Sequence, residues 1–209
     1  LIPFFTLWNQ GNHVYAYVNI DINPSVELVV NHDLEVTDLH ALNQDGENII
    51  ANISNWEKQS VEKVTMLIID ETEKAGYLVE DLGMLIGVSY LETKDRKKEI
   101  TQTIQSYVKS QKEQVAPTVT TFEVPKDVHE KAVEENMSMN YMYAQQLIME
   151  NDFEEQEDEQ DDATIEVKEE KNEDNSPEIS IQSVENEDVE QQDEDIEKVI
   201  IEKFLNHIE

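Results

Sequence analysis

The chain has 209 residues and a formal net charge of −33, from 48 acidic and 15 basic side chains. That balance counts against nucleic acid as a partner, since phosphate would be repelled; the lack of cysteine rules out disulfides, thiol catalysis and thiolate metal sites. Residues 151–209 hold 24 acidic and 4 basic side chains, so composition predicts one folded domain over 13–150 and an unstructured acidic region over 151–194.

Residues 1–12 open with LIPFFTLW, apolar and aromatic but too short to span a bilayer. It reads either as a buried edge segment or as the outer end of a membrane helix, with Phe4, Phe5 and Trp8 in an interfacial belt. From His13 to Asn31 the pattern is two β-strands broken at Asn23-Pro24. Val14, Ala16, Val18, Ile20 and Ile22 alternate with Tyr15, Tyr17, Asn19, Asp21 and Asn23; the alternation resumes with Val26, Leu28 and Val30. Pro24 has no N–H, so it cannot sit inside a continuous ladder.

Asn31-His32-Asp33 is a turn signal. The next strand, Leu34 to Leu42, changes phase between Val36 and Leu39, which predicts a bulge near Thr37-Asp38. NQDGEN reads as a turn, followed by a short helix over Glu47 to Ile53. Ser60 suits an N-cap for a helix over Val61 to Ala75, with Val61, Val64, Leu67, Ile68 and Ala75 inward. Gly76-Tyr77 reads as a left-handed C-cap with its apolar contact.

Met84 to Leu91 is an apolar strand expected to be covered on both faces. Lys94 to Gln114 reads as a helix with Ile100, Ile104, Tyr107 and Val108 inward, and Thr118 to Val124 as a fifth strand. Pro125 suits the start of a third long helix and Asn136 its left-handed end; Ser138 would cap a fourth, over Met139 to Met149. Met137, Met139, Met142 and Met149 read as helical core filler. The predicted fold is α/β: a sheet of about five strands, with an N-terminal antiparallel meander, packed helices and an acidic disordered tail. Residues 195–209 form an amphipathic stripe of Ile196, Val199, Ile200, Phe204, Leu205 and Ile208. That stripe would bind a partner, begin a further region or pack back on the domain.

The five histidines (His13, His32, His40, His129 and His207) lack metal-ligand spacing, and no calcium loop, phosphate loop or nucleophile elbow occurs. No metal or cofactor is expected. The reactive candidate is Asn23-Pro24. The Asn23 carboxamide nitrogen can attack its own backbone carbonyl, close a succinimide and expel the Pro24 amine. The competing deamidation needs a backbone N–H at the next residue, which proline lacks. Ser25 is placed to hydrogen-bond the scissile carbonyl or protonate the leaving amine, and Asp21, on the strand face of Asn23, to polarise its carboxamide.

The run YVNIDINPSVELVVN, followed by LEVTDLHALNQDGENII, resembles the extracytoplasmic domain of RsgI-type anti-sigma-I factors. The resemblance rests on Asp-x-Asn-Pro-Ser (Asp21 to Ser25), ALN-x-D-G (Ala41 to Gly46), KAGYL (Lys74 to Leu78) and LIGVSYLE, and spans residues 8–150. The acidic tail is similar to that of the Bacillus-type member. The resemblance implies autocatalytic cutting at Asn23-Pro24, in a single turnover, with both pieces staying paired in one sheet. It further implies a single-pass membrane protein with this part on the extracytoplasmic side. Loss of the outer piece would let an intramembrane protease act and free a sigma factor held by a cytoplasmic part absent from this chain. The alternative is an uncut structural module with an acidic spacer, whose partner would be a cell-wall polymer. No motif supports an enzyme acting on an external substrate.

Overall fold

The computed structural model describes residues 13–21, 23–78, 83–91, 99–112, 119–161, 196 and 198–201. The chain runs β1 (Val14–Asp21), β2 (Ser25–Asn31), β3 (Val36–Ala41), α1 (Gln44–Asn52), α2 (Val61–Lys74), β4 (Met84–Tyr90), α3 (Glu99–Gln111), β5 (Val119–Glu123), α4 (Lys126–Glu135) and α5 (Met139–Asp161). The five strands form one sheet in the order β3-β2-β1-β4-β5. Only β4 and β5 pair in parallel, joined through α3 as a parallel pair requires; β1, in the middle, is antiparallel to both neighbours. The expected α/β class and N-terminal meander are both present.

Period-two alternation sorts the side chains of β1 onto two buried faces. Ala16, Val18 and Ile20 pack with Val26, Leu28, Val30, Ile86 and Val88 beneath α2 and α3. On the other face Leu85, Phe122 and Val124 pack with α4 and α5. β4 is buried along its whole length, as its apolar run predicts.

The predicted bulge is real. Val29 pairs with Asp38 and Val30 with Val36, leaving Thr37 as the extra residue. Three helix boundaries match local capping chemistry. Gly76, at φ 81°, ends α2 in a Schellman motif, with Tyr77 N bonded to Thr72 O and Gly76 N to Glu73 O. Pro125 is the residue before the first turn of α4, and Asn136 ends it at φ 54°.

Other expectations need correcting. NQDGEN is not a turn: α1 already starts at Gln44, because the Asn43 side chain caps Gly46 N at 2.7 Å. On α2 the buried stripe is Val61, Val64, Thr65, Ile68, Ile69 and Thr72. Leu67 is 37% exposed and Ala75 lies on the surface, because the sheet is met by the i, i+3, i+4, i+7 rows starting from Val61. Ser60 is the N-cap residue of α2, as expected, and its carbonyl accepts from Val64 N at 3.1 Å, but its hydroxyl bonds Glu62 and makes no capping hydrogen bond. Met139 and Met142 fill the second core and Met137 packs against it, but Met149 is exposed.

In α3, Ile100, Ile104 and Val108 are buried, with Tyr107 beside them. Its predicted ends at Lys94 and Gln114 lie outside the described residues. α5 continues to Asp161, into the stretch that composition assigned to the unstructured tail. Glu and Gln are good helix formers, and a helix already nucleated by packing extends cheaply.

Of the three readings of the C-terminal stripe, packing back matches the described residues. Ile200 is fully buried against the α4–α5 layer, with Ile196 and Ile201 beside it. Phe204, Leu205 and Ile208, residues 1–12 and residues 162–195 lie outside the described residues. No helix among the described residues is long and apolar enough to cross a membrane.

The two sides of α2 should differ sharply. Ile68→Ala should cost about 2–5 kcal/mol, the usual range for an emptied core site, and Leu67→Ala less than about 1 kcal/mol. Urea unfolding of both variants checks this; equal costs would mean that α2 is rotated from the orientation described.

Candidate functional site

β1 and β2 meet with Asp21 paired to Ser25, so Asn23 and Pro24 lie in the connection between them. Pro24 is buried and Asn23 exposed. Asn23 has φ 60°, in the left-handed region. Asparagine tolerates this better than most residues, yet the conformation still costs about 1–2 kcal/mol. A residue before proline normally stays extended at negative φ. The residue expected to react therefore departs from both preferences, and surrounding contacts must hold it there.

The first of those contacts is Asn43. Its Oδ1 accepts from Ser25 N at 3.1 Å and from Gly46 N at 2.7 Å, while its Nδ2 donates to Asn23 Oδ1 at 3.1 Å. Leu42 N donates to Ser25 O at 2.9 Å, closing the other side of the turn. Gly46 is required here by space: a Cβ would lie 2.2 Å from Ser25 O. Asp45 accepts from the Tyr77 hydroxyl at 2.7 Å, tying α1 to the end of α2. That hydrogen bond, together with burial and the carboxylate charge, raises the Tyr77 pKa.

Asp21 supplies the second set of contacts. It is 2% exposed and sits on the polar face of β1. Ser25 Oγ donates to its Oδ1, and Ser138 Oγ to its Oδ2. Asn140 Nδ2 donates to Oδ2 at 2.6 Å, with Asn19 O at 3.1 Å and Leu85 O at 3.3 Å as further acceptors. Ser138 Oγ also accepts from Asn140 N at 3.2 Å, so the cap of α5 and the clamp on Asp21 are one structure. Asn140 reaches Asp21 by crossing β4 over Gly87, where a Cβ would lie 1.9 Å from Asn140 Oδ1. Burial, and second the charge of Asp21, raises the Tyr141 pKa.

A separate polar cluster lies on the same sheet face. Glu27 is within 3.0 Å of His129 Nε2 and 3.5 Å of His40 Nδ1, and the His129 ring stacks on Tyr17 at 4.2 Å. In the orientation that satisfies both ends of its amide, Asn19 donates to Glu27 at 3.0 Å and accepts from Met139 N at 3.1 Å. Glu27, His40 and His129 line a cleft of about 330 Å³ beside α4. Among the described residues no group of three or more histidine, aspartate or glutamate side chains is arranged to hold a metal ion.

Asp21, Asn23, Pro24 and Ser25 thus lie together, as their adjacency in sequence requires. Asn43, Ser138, Asn140 and Gly87 join them from elsewhere. A signal for Asn43 existed, since asparagine directly before a helix start is an N-cap residue. Nothing in the sequence pointed from Asn140 to Asp21. If Asn140 dictates Gly87, then Gly87→Ala should destabilise the domain, and Asn140→Ala should recover part of that loss. A double-mutant cycle by urea unfolding should give a coupling of at least about 1 kcal/mol. Strict additivity would mean that the clash falls on Val124, the next nearest neighbour at 2.8 Å.

Residues 15–147 match the family described as the anti-sigma factor RsgI-like central domain. The chain is 35% identical over 113 residues to the anti-sigma-I factor RsgI of Bacillus subtilis, covering 51% of this chain and 29% of that protein. It is 37% identical over 87 residues to the protein of the same name from Bacillus anthracis, covering 41% of this chain and 20% of that one. It is 27% identical over 143 residues to anti-sigma-I factor RsgI9 of Acetivibrio thermocellus, covering 65% of this chain and 20% of the relative. The chain therefore spans less than a third of the length of these relatives. The match, which runs from β1 into α5 and takes in all five strands, establishes that this chain belongs to the family of anti-sigma factor RsgI-like central domains.

Proposed function

We propose that this chain is the signal-receiving part of an anti-sigma-I factor, placed on the extracytoplasmic side of the membrane, and that it cuts its own backbone between Asn23 and Pro24. The observation that carries the cleavage reading is the left-handed Asn23 directly before proline, in a turn held from both sides. Strain at the reacting residue raises the energy of the ground state and so shortens the climb to the transition state.

The reaction balances within the chain. Asn23 Nδ2 forms a bond to the Asn23 carbonyl carbon, and the bond from that carbon to the Pro24 nitrogen breaks. The proton leaving Nδ2 ends on the Pro24 nitrogen. Ser25, one residue from that nitrogen and hydrogen-bonded to Asp21, is the relay. The products are an N-terminal piece closed as a succinimide, which water then opens, and a C-terminal piece starting at Pro24.

Cutting would not separate the pieces. β1 is the middle strand, bonded to β2 from Val14 to Asp21 and to β4 from Ala16 to Asp21, with an apolar row buried beneath it. The covalent link is replaced by the free energy of seating one strand, so pulling or local unfolding can part the joint. In this reading, loss of the outer piece lets an intramembrane protease act on the remainder. The sigma factor then leaves a cytoplasmic part of the protein that lies outside this chain.

Intact mass under denaturing conditions tests the reading, with Asn23→Ala beside the wild type. The expected result is two wild-type species, one ending at Asn23 with a component lighter by one water, the other starting at Pro24. The variant should give a single full-length mass. A full-length wild-type chain, or a variant cut at the same bond, would overturn it.

A further inference from the structure

We propose that Asn43 is the positioning residue that activates the Asn23 carboxamide, so that the ALN-x-D-G stretch is part of the cleavage machinery and not only a helix start. This inference rests on the self-cleavage reading above. A carboxamide nitrogen is a poor nucleophile because its lone pair is delocalised into the carbonyl. Losing a proton turns it into an imidate, in which the nitrogen is reactive and the negative charge sits mainly on oxygen. A hydrogen-bond donor aimed at that oxygen therefore favours the reactive form. Asn43 Nδ2 is such a donor, 3.1 Å from Asn23 Oδ1. The same bond anchors the oxygen end of the Asn23 amide and leaves the nitrogen end to turn toward the backbone carbonyl.

The orientation of Asn43 is determined by its other partners. Two backbone N–H groups, of Ser25 and Gly46, point at its oxygen. Turning the amide over would set its NH2 against both of them, so the nitrogen must face Asn23. Asn43 is itself immobilised as the N-cap of α1, with Glu47 N donating to its carbonyl at 3.1 Å. Ser25 N and Asn23 Oδ1 flank the scissile bond, so one side chain holds the chain on both sides of it. The N-terminal end of α1 adds partial positive charge beside the oxygen that becomes negative.

A purely structural role would require only the oxygen of Asn43. Asn43→Asp separates the two roles. Aspartate caps a helix as well as asparagine does and keeps the acceptor for Ser25 and Gly46. At neutral pH it removes the donor and sets a charge against Asn23 Oδ1. The wild type, Asn43→Asp and Asn43→Ser are made by cell-free translation and chased, and the cut fraction is followed by intact mass from pH 4 to 8. Thermal unfolding of Asn23→Ala, with and without Asn43→Asp, reads the fold when no cutting occurs.

The expected result is cutting of Asn43→Asp slowed about 10²-fold at pH 7, the usual cost of losing one activating donor, with little change in melting temperature. Relative to wild type at each pH, that rate should recover as the new carboxyl protonates and offers an O–H in place of the N–H. Asn43→Ser caps the helix but is too short to reach Asn23, so it should stay slow at every pH. Wild-type cutting with Asn43→Asp equally fast at pH 7, or slow without recovery at acid pH, would overturn the activating role and leave self-cleavage standing. An uncut wild type would overturn both readings.

Discussion

The carboxylate of Asp21, buried at the end of the middle strand, is the constraint on which the rest depends. An ionised carboxylate taken out of water costs several kcal/mol unless donors replace the solvent. Here the donors come from three separate places: Ser25 on β2, Ser138 ahead of α5 and Asn140 within it. Seating β1 against β2 and seating α5 on the sheet are therefore one event. Gly87 follows from the same demand, because any side chain on that position of β4 would occupy the space Asn140 crosses.

This arrangement divides the labour of β1 between its two faces. The row of Ala16, Val18 and Ile20 contributes burial, which is strong but distinguishes poorly between registers two residues apart. The row of Tyr17, Asn19 and Asp21 meets His129, Glu27, Ser138 and Asn140, partners that only one register satisfies. In a two-piece domain such polar matching would return the strand to one place after cutting, where apolar burial alone would tolerate slippage. The helical layer that carries the polar clamp also receives the buried Ile200, so the C-terminal segment and the middle strand meet the same two helices.

Much of the fold was legible in the sequence because it is written locally. Alternation in Val14 to Ile20 and Val26 to Val30, the phase change at Thr37, Gly76 after α2 and Asn136 after α4 each depend on a few neighbouring residues. The errors occurred where a distant contact chose between local options. Asn-Gln-Asp-Gly is turn chemistry in isolation, and glycine disfavours a helix interior. It starts α1 because Gly46 must pass close to the Ser25 carbonyl and Asn43 has that turn to hold. On α2 the apolar side chains outnumber the places on one face, and the sheet selected Ile69 and Thr72 over Leu67.

The sequence by itself determined the α/β class, the break between β1 and β2, and the dipeptide whose chemistry stands out, since proline blocks deamidation whatever surrounds it. Only the tertiary structure decided how that dipeptide is held: the left-handed Asn23, the Asn43 bridge to it and the clamp on Asp21 from a helix 119 residues away. The physical reason is range. Period and capping act over one or two turns of chain, whereas the burial of a charge must be balanced by whatever donors the complete fold brings within about 3 Å of it.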